Sequence, residues 1–380
     1  MNRIPIFFTF DDNYVIPAAV AFFSLVNRAR EGTFYEMHVL HHDISPEHQG
    51  LLSEIAAKRG NASLTFVDTG DFLKDEWRSG SWEGHQTRSQ FTSDAVVRCF
   101  GARFLPQYDK IVYSDVDVVF ADDIAELMDV DLTDAYCAGV EGFLRHDRTN
   151  MSHLKPEHYE MLKDCYLAGG IWVMNLKKIR EDRLEDRMLE IIRDDTIVKR
   201  WNDQDVMNIA CAGKVRRLPL NYIGYPYLRD YLDRPGLDSP YTRDELYDSI
   251  IRPKILHYAA QKPWKARTEW DKAWWDIADY LRLDVTRPPA LPDDVTRKIA
   301  IRQRRRPAAA ARLPADGAVE PDRRIGCGHR DGDRRLKSLP VAGRRHGHGD
   351  HMRARRQRGD LLGGQIRLRF AEPAFADIEI

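Results

Sequence analysis

The chain has 380 residues, 43% of them hydrophobic and 10% aromatic, enough to bury one sizeable core. No stretch approaches the ~18 consecutive apolar residues of a spanning helix, and the first apolar run meets Asp11 and Asp12 at once, so neither a membrane span nor a signal peptide is expected. The 58 Lys and Arg balance 59 Asp and Glu overall, but residues 295–380 hold 21 of the bases and 10 of the acids. That leaves 37 against 49 elsewhere, an acidic body with a basic tail.

In chain order, residues 4–10 (IPIFFTF) read as a first strand and residues 16–29, opening around Pro17, have helical spacing. Residues 34–42 form a second strand, 45–59 a helix and 63–69 a third strand. Strand, helix, strand, helix, strand is the pattern of a nucleotide-binding half-fold. Residues 93–104 follow as a helix, then 109–120 (DKIVYSDVDVVF), the most apolar strand candidate. Strands at 135–142, 169–176 and 254–260 complete the list, with helices at 176–193 and 203–212. The expectation is an α/β domain built on a buried sheet of about seven strands.

Past about Pro288 the character changes. Residues 295–380 contain no Trp or Tyr, only Phe370 and Phe375, and 19 Arg against 2 Lys. Such a segment cannot build a core. The boundaries read as a domain at 1–285 and a basic low-complexity tail at 286–380, expected to be disordered or the product of a shifted reading frame. The tail is a poor nucleic-acid arm, because no aromatic residues interleave with its arginines. Cys99, Cys137, Cys165, Cys211 and Cys327 are widely spaced and form no zinc-type cluster. They read as buried thiols of a reducing compartment.

Two carboxylates, Asp115 and Asp117, interrupt the apolar run of residues 109–120. Unpaired charge in such a strand is costly, so something must neutralise it. Residues two apart on an extended segment share a face, and two carboxylates on one face suit a hard divalent cation that could bridge a diphosphate. Taken alone, the pair reads first as a strand-end turn. The first strand ends in Thr9, Asp11, Asn13 and Tyr14, at the carboxyl edge where open α/β sheets bind ligands. Asp and Asn could hold ribose hydroxyls or base edges, and Tyr14 could stack on a base; helix capping before Pro17 explains the same residues. His257 ends a strand, with Lys262 five residues on; imidazole can ligate a manganese-like metal and an ammonium can neutralise phosphate, though taken singly this His reads first as a satisfied surface or core residue. Arg98 reads as a phosphate clamp or a solvated face. Asp203, Gln204 and Asp205 open a helix, where acids favour the dipole. The sharper reading has Asp203 accepting sugar hydroxyls and Gln204 facing an anomeric carbon.

Together, FTFDDNY, Arg98 followed by SDVD, AGGIWVMNLKKIR with DQDVMN, and HYAAQKPW resemble, in order, the motifs of glycosyltransferase family 8 across roughly residues 4–282. The resemblance implies a GT-A nucleotide-sugar-binding fold, a mixed, mainly parallel sheet flanked by helices. It implies a retaining hexosyltransferase using Mn2+ (or Mg2+) and a UDP-sugar donor. It also implies an oligosaccharide or lipid-linked glycan acceptor, as in lipopolysaccharide biosynthesis, with no nucleic-acid partner. Asp115, Asp117 and His257 would hold the metal. Thr9, Asp11, Asn13, Tyr14 and Val116 would meet the nucleotide, and Lys262 the diphosphate. Arg98 would hold the sugar, with Asp203 and Gln204 as the catalytic pair. Retention by front-face departure and return, or by a covalent intermediate, stays open.

Two departures stand out. Ala168-Gly169-Gly170 replaces the family's usual Asn before a small residue and Gly, and five steps rather than six separate His257 from Lys262. Bacterial relatives often rest on the inner membrane, which implies a cytoplasmic protein, peripheral at that face; for Trp270, Trp274, Trp275 and Tyr280, core packing competes with interfacial anchoring. Two rivals remain. A haloacid-dehalogenase-like phosphatase would use Asp115 as nucleophile and Asp117 as acid, but three strand units precede the motif. A non-catalytic nucleotide-sugar binder would share the fold.

Overall fold

The computed structural model describes residues 1–79, 94–142, 151–226, 228–233, 239–259, 261–267 and 270–289. The expected basic tail and Cys327 therefore lie outside the described residues.

The first strands are β1 (Asn2–Thr9), β2 (Thr33–His41) and β3 (Ala62–Asp68). Helices Val15–Arg28 and Pro46–Ala57 make the crossovers between them. Ser45 caps the second of these, accepting from the His48 amide, with Pro46 in the first turn where its missing N–H is not needed. Next come β4 (Lys110–Ser114), β5 (Val118–Phe120), β6 (Cys137–Glu141), β7 (Leu167–Asn175), β8 (Val215–Leu218) and β9 (Ile255–His257). Seven of them form one sheet in the order β3-β2-β1-β4-β7-β6-β8. β7 runs against its neighbours; the other six share one direction. The expected mixed, mainly parallel sheet is thus present.

Successive residues of β1, β4 and β7 alternate between two apolar clusters, Ile6, Val112 and Val173 in one and Phe7, Tyr113 and Trp172 in the other. Burial on both faces is why these strands read as continuous apolar runs.

Several expectations need correction. The run 109–120 is two strands, not one: the chain bends at Val116 and Asp117, and β5 leaves the sheet to dock on the first helix, where Ser24 Oγ accepts from the Phe120 amide at 2.9 Å. β5 pairs with β9 in a separate two-stranded sheet, so the 254–260 segment is not a member of the main one. β8 takes that place; its two arginines, Arg216 and Arg217, hid it in the sequence. The helix expected at 176–193 is broken into Leu176–Glu181 and Leu184–Arg193, with Arg183 in the left-handed region at φ 52° between them. The described part of the 93–104 helix is likewise interrupted by a 3-10 turn at Arg98–Phe100.

Trp270, Trp274 and Trp275 are buried, so core packing accounts for them, while Tyr280 is exposed. Cys99, Cys137, Cys165 and Cys211 are buried thiols outside any disulfide. No helix among the described residues is long and apolar enough to cross a membrane.

Candidate active site

The parallel pairing Phe7↔Tyr113 brings the carboxyl ends of β1 and β4 to one edge. The antiparallel pairing Ser114↔Ile171 brings the start of β7 to the same edge. Asp115 extends this ladder by one bond, its amide donating to the Gly170 carbonyl at 3.1 Å. The bend at Val116 then turns the chain into β5, and the pairing Val118↔His257 delivers His257 beside Asp117.

Here Nε2 of His257 lies 3.2 Å from Oδ1 of Asp117 and 3.4 Å from Oδ2 of Asp115. One ligand atom from each of the three lies within 4.8 Å of the others. Lys262 donates to the other oxygen of Asp117. Burial opposes the charge on His257, but the carboxylates of Asp117 and Asp115 outweigh it and raise the imidazolium to about 9. Burial also opposes ionisation of Asp117, yet Lys262 and His257 hold its carboxyl far below the usual range. Arg98 has the same effect on Asp115. The two carboxylates are thus countered on three sides by the cationic side chains of His257, Lys262 and Arg98. Two carboxylates with one imidazole nitrogen are a donor set that suits Mn2+ or Mg2+. The ring presents Nε2 because Nδ1 faces Gly170, where an added Cβ would lie 2.5 Å from it.

Arg98 joins this cluster to a second one. Its Nη1 meets Asp115 Oδ1 at 2.8 Å and its Nε meets Asp203 Oδ2 at 3.1 Å, while Nη1 also donates to the Gly169 carbonyl at 3.1 Å. Asp203 and Gln204 open the Asp203–Cys211 helix after Asn202, which sits at φ 51°. Burial raises the Asp203 carboxyl to about 7 despite Arg98, whose shorter contact goes to Asp115. Gln204 Oε1 accepts from the Gly169 amide at 2.8 Å, fixing the side-chain amide over β7. Asp205 instead points inward and braces the helix start, accepting from Tyr166, His153 and the Trp201 amide at 2.7–2.9 Å.

At the neighbouring end of β1, Asp11 caps the turn Asp12–Tyr14 and accepts from the Asn13 amide at 3.1 Å and from Asn13 Nδ2 at 3.3 Å. The capping explanation therefore holds, without removing these residues from the edge. Thr9 Oγ1 is buried with no hydrogen-bond partner. Tyr14 sets the edge of its ring on Trp264 at 6.2 Å; burial first, then the nearby carboxylates, keep its phenol protonated against the pull of Lys262. Val116 buries its side chain in the apolar cluster, leaving its backbone at the bend.

The fold thus brings Arg98, Asp115, Asp117, Asp203, Gln204, His257 and Lys262 together, across 165 positions of chain. Sequence reasoning missed Tyr113, whose hydroxyl donates to Asp115 at 2.5 Å and whose ring lies 4.7 Å beneath Arg98. Its place two residues before Asp115 on a strand was the available signal. It also missed Tyr225, whose ring packs 5.3 Å from His257. Nothing local marked it, since it comes from a separate loop.

A mainly parallel sheet with one reversed strand, carrying an acidic cluster at the carboxyl edge, is the architecture of a GT-A glycosyltransferase fold. The structure resembles that of LgtC, crystallised as an active-site mutant: TM-score 0.61 at 19% identity, over 77% of this chain and 98% of that one. WbbM, a bifunctional glycosyltransferase, matches with a TM-score of 0.59 at 25% identity, over 73% of this chain; that match spans about half (49%) of WbbM. Residues 5–268 match the family described as Glycosyl transferase family 8, and the chain belongs to that family. Among curated relatives, a lipopolysaccharide 1,2-glucosyltransferase of Escherichia coli is 24% identical over 72% of this chain and 75% of its own length. General stress protein A of Bacillus subtilis is 20% identical over 68% of this chain and 86% of its own.

Proposed function

We propose that this protein is a metal-dependent, retaining hexosyltransferase that moves a hexose from a UDP-sugar to an oligosaccharide or lipid-linked glycan acceptor. The observation that carries the reading is the Asp115, Asp117 and His257 cluster, coupled through Arg98 to Asp203 and Gln204. Asp115, Asp117 and His257 would hold Mn2+ or Mg2+, which would supply positive charge against the negative charge that develops on the leaving group. The residues of the chain supply the rest. Lys262 adds an ammonium for the phosphate oxygens. Asp11, Asn13 and Tyr14, at the end of β1, meet the nucleoside, with the backbone of Val116 and Thr9 Oγ1 beside them. Arg98 and Asp203 hold sugar hydroxyls, and the fixed amide of Gln204 faces the reacting carbon. Arg98, Asp203 and Gln204, held in place before the donor arrives, would favour the charge-separated transition state. The family's lipopolysaccharide glucosyltransferases favour a glycan acceptor.

The test is incubation of the purified protein with Mn2+ and a panel of UDP-sugars, reading release of UDP without acceptor. Turnover with one donor is expected, abolished by Asp117→Asn. No turnover with any donor, with or without metal, refutes the enzyme; donor binding without turnover makes it a nucleotide-sugar binder.

A further inference from the structure

The ammonium of Lys262 has three N–H groups. One donates to Asp117 Oδ2, one to the Tyr258 carbonyl at 2.9 Å and one to the Ala259 carbonyl at 3.3 Å. All three are engaged, in a seat where the side chain is mostly buried. Asp117 is equally occupied: Oδ1 faces His257 Nε2 at 3.2 Å and Oδ2 faces Lys262. In this arrangement Lys262 has no N–H to offer a phosphate, and Asp117 has no uncontested oxygen to offer a cation. Both groups must therefore change partners when the donor site fills.

We propose that Lys262 is a latch: in the ligand-free protein its ammonium stands in for the divalent cation on Asp117, and a diphosphate draws it away, so metal binds with the nucleoside diphosphate rather than ahead of it. The proposal rests on the metal reading above. The physical basis is local charge balance. Asp115 is already paired with Arg98 and Asp117 with Lys262, so a free dication meets carboxylates whose charge is spent. A diphosphate brings new negative charge, gives Lys262 a better partner and uncovers Oδ2 for the metal. A binding-competent state populated in a fraction of molecules weakens the apparent affinity by that fraction. If the latch is closed in about nine molecules of ten, metal alone binds roughly tenfold more weakly than to an open site.

The experiment measures Mn2+ binding to the full chain without nucleotide, by the loss of the free-ion electron paramagnetic resonance signal, in wild type, Lys262→Met and Lys262→Gln. Gln keeps a donor for the Tyr258 and Ala259 carbonyls while removing the charge, so it reports even if Met disturbs the fold. Both variants are expected to bind Mn2+ roughly tenfold more tightly than wild type, and to bind UDP in excess Mn2+ more weakly. A residue that serves the phosphate alone would weaken UDP binding and leave Mn2+ affinity unchanged, which overturns the latch while keeping the metal site. Weaker Mn2+ binding in both variants also overturns it, since Lys262 would then be supporting the site. Absence of Mn2+ binding in every protein, with and without UDP, overturns the metal reading and the latch together.

Discussion

Gly170→Ala should displace the His257 imidazole, the proposed metal ligand, from behind without removing any side chain of the cluster. A Cβ at this position would lie 2.5 Å from His257 Nδ1, 2.6 Å from its Cε1 and 2.6 Å from Ile223 Cδ1. Ordinary contact begins at 3.4 Å, so the ring would have to retreat by about 0.9 Å. It has little room to do so. Its backbone is fixed by the Val118 pairing and by the bond from its amide to the Gly224 carbonyl at 2.9 Å, and Tyr225 packs on the ring. Overpacking of this kind costs about 1–3 kcal/mol, and the lost freedom of glycine in the unfolded chain returns roughly 0.5 kcal/mol. A net loss of about 0.5–2.5 kcal/mol corresponds to a fall in Tm of roughly 1–10 °C for a domain of this size. The same displacement moves Nε2 off the carboxylates, and disturbance of a ligand's orientation typically weakens metal binding about 10–100-fold. Thermal unfolding and Mn2+ titration in the presence of UDP read both effects. Gly169→Ala is the comparison, since its Cβ would meet Gln204 Oε1 at 3.2 Å and Arg98 Nη1 at 3.4 Å, a tight contact that asks those side chains to give by a few tenths of an ångström and lies away from the imidazole. Wild-type Tm together with wild-type Mn2+ affinity in Gly170→Ala would refute the reasoning.

Asp203, raised from 3.8 to about 7 by burial, holds a proton in the fold that the unfolded chain gives up. Its contribution to stability is full below about pH 4 and is lost as pH rises through 7. Asp203→Asn should therefore flatten the decline of Tm between pH 5 and 8 in metal-free buffer; an unchanged slope would show that Asp203 ionises normally. The same variant should cut turnover by at least about 100-fold while UDP binding persists, as expected for a group that acts on the sugar in the transition state. Asp123 is a purely structural counterpart, buried and accepting from Tyr35 at 2.5 Å, Thr33 at 3.0 Å and the amides of Arg30 at 2.6 Å and Ala125 at 2.8 Å. Asp123→Ala strands those donors at a cost of about 3–5 kcal/mol, so Tm should drop by roughly 6–20 °C, with UDP affinity of the folded protein unchanged. A drop under about 2 °C would show the network to be expendable.

The sequence by itself determined the layers of this protein and the chemistry of its site. Strands buried on both faces leave continuous apolar runs, and helices leave a 3.6-residue period, so β1 to β4 and the first two crossover helices were legible before any contact was known. Acidic residues inside such a run are costly enough to stand out, which is how Asp115 and Asp117 announced themselves. Tertiary structure alone decided how the two carboxylates meet the His257 imidazole. Their approach comes from a bend at Val116, not from the alternation of one continuous strand, and that bend sends β5 to pair with β9 and bring His257 across 140 positions. It also decided that β8, broken by arginines, closes the sheet, and that Arg98 divides its guanidinium between Asp115 and Asp203. The sequence set Gly170 at the family's usual glycine without showing why glycine is needed there, because what makes it necessary is the imidazole packed against it. Local pattern encodes burial and period, which each segment carries in its own residues; partner choice depends on which segments the fold sets side by side, and no single segment carries that.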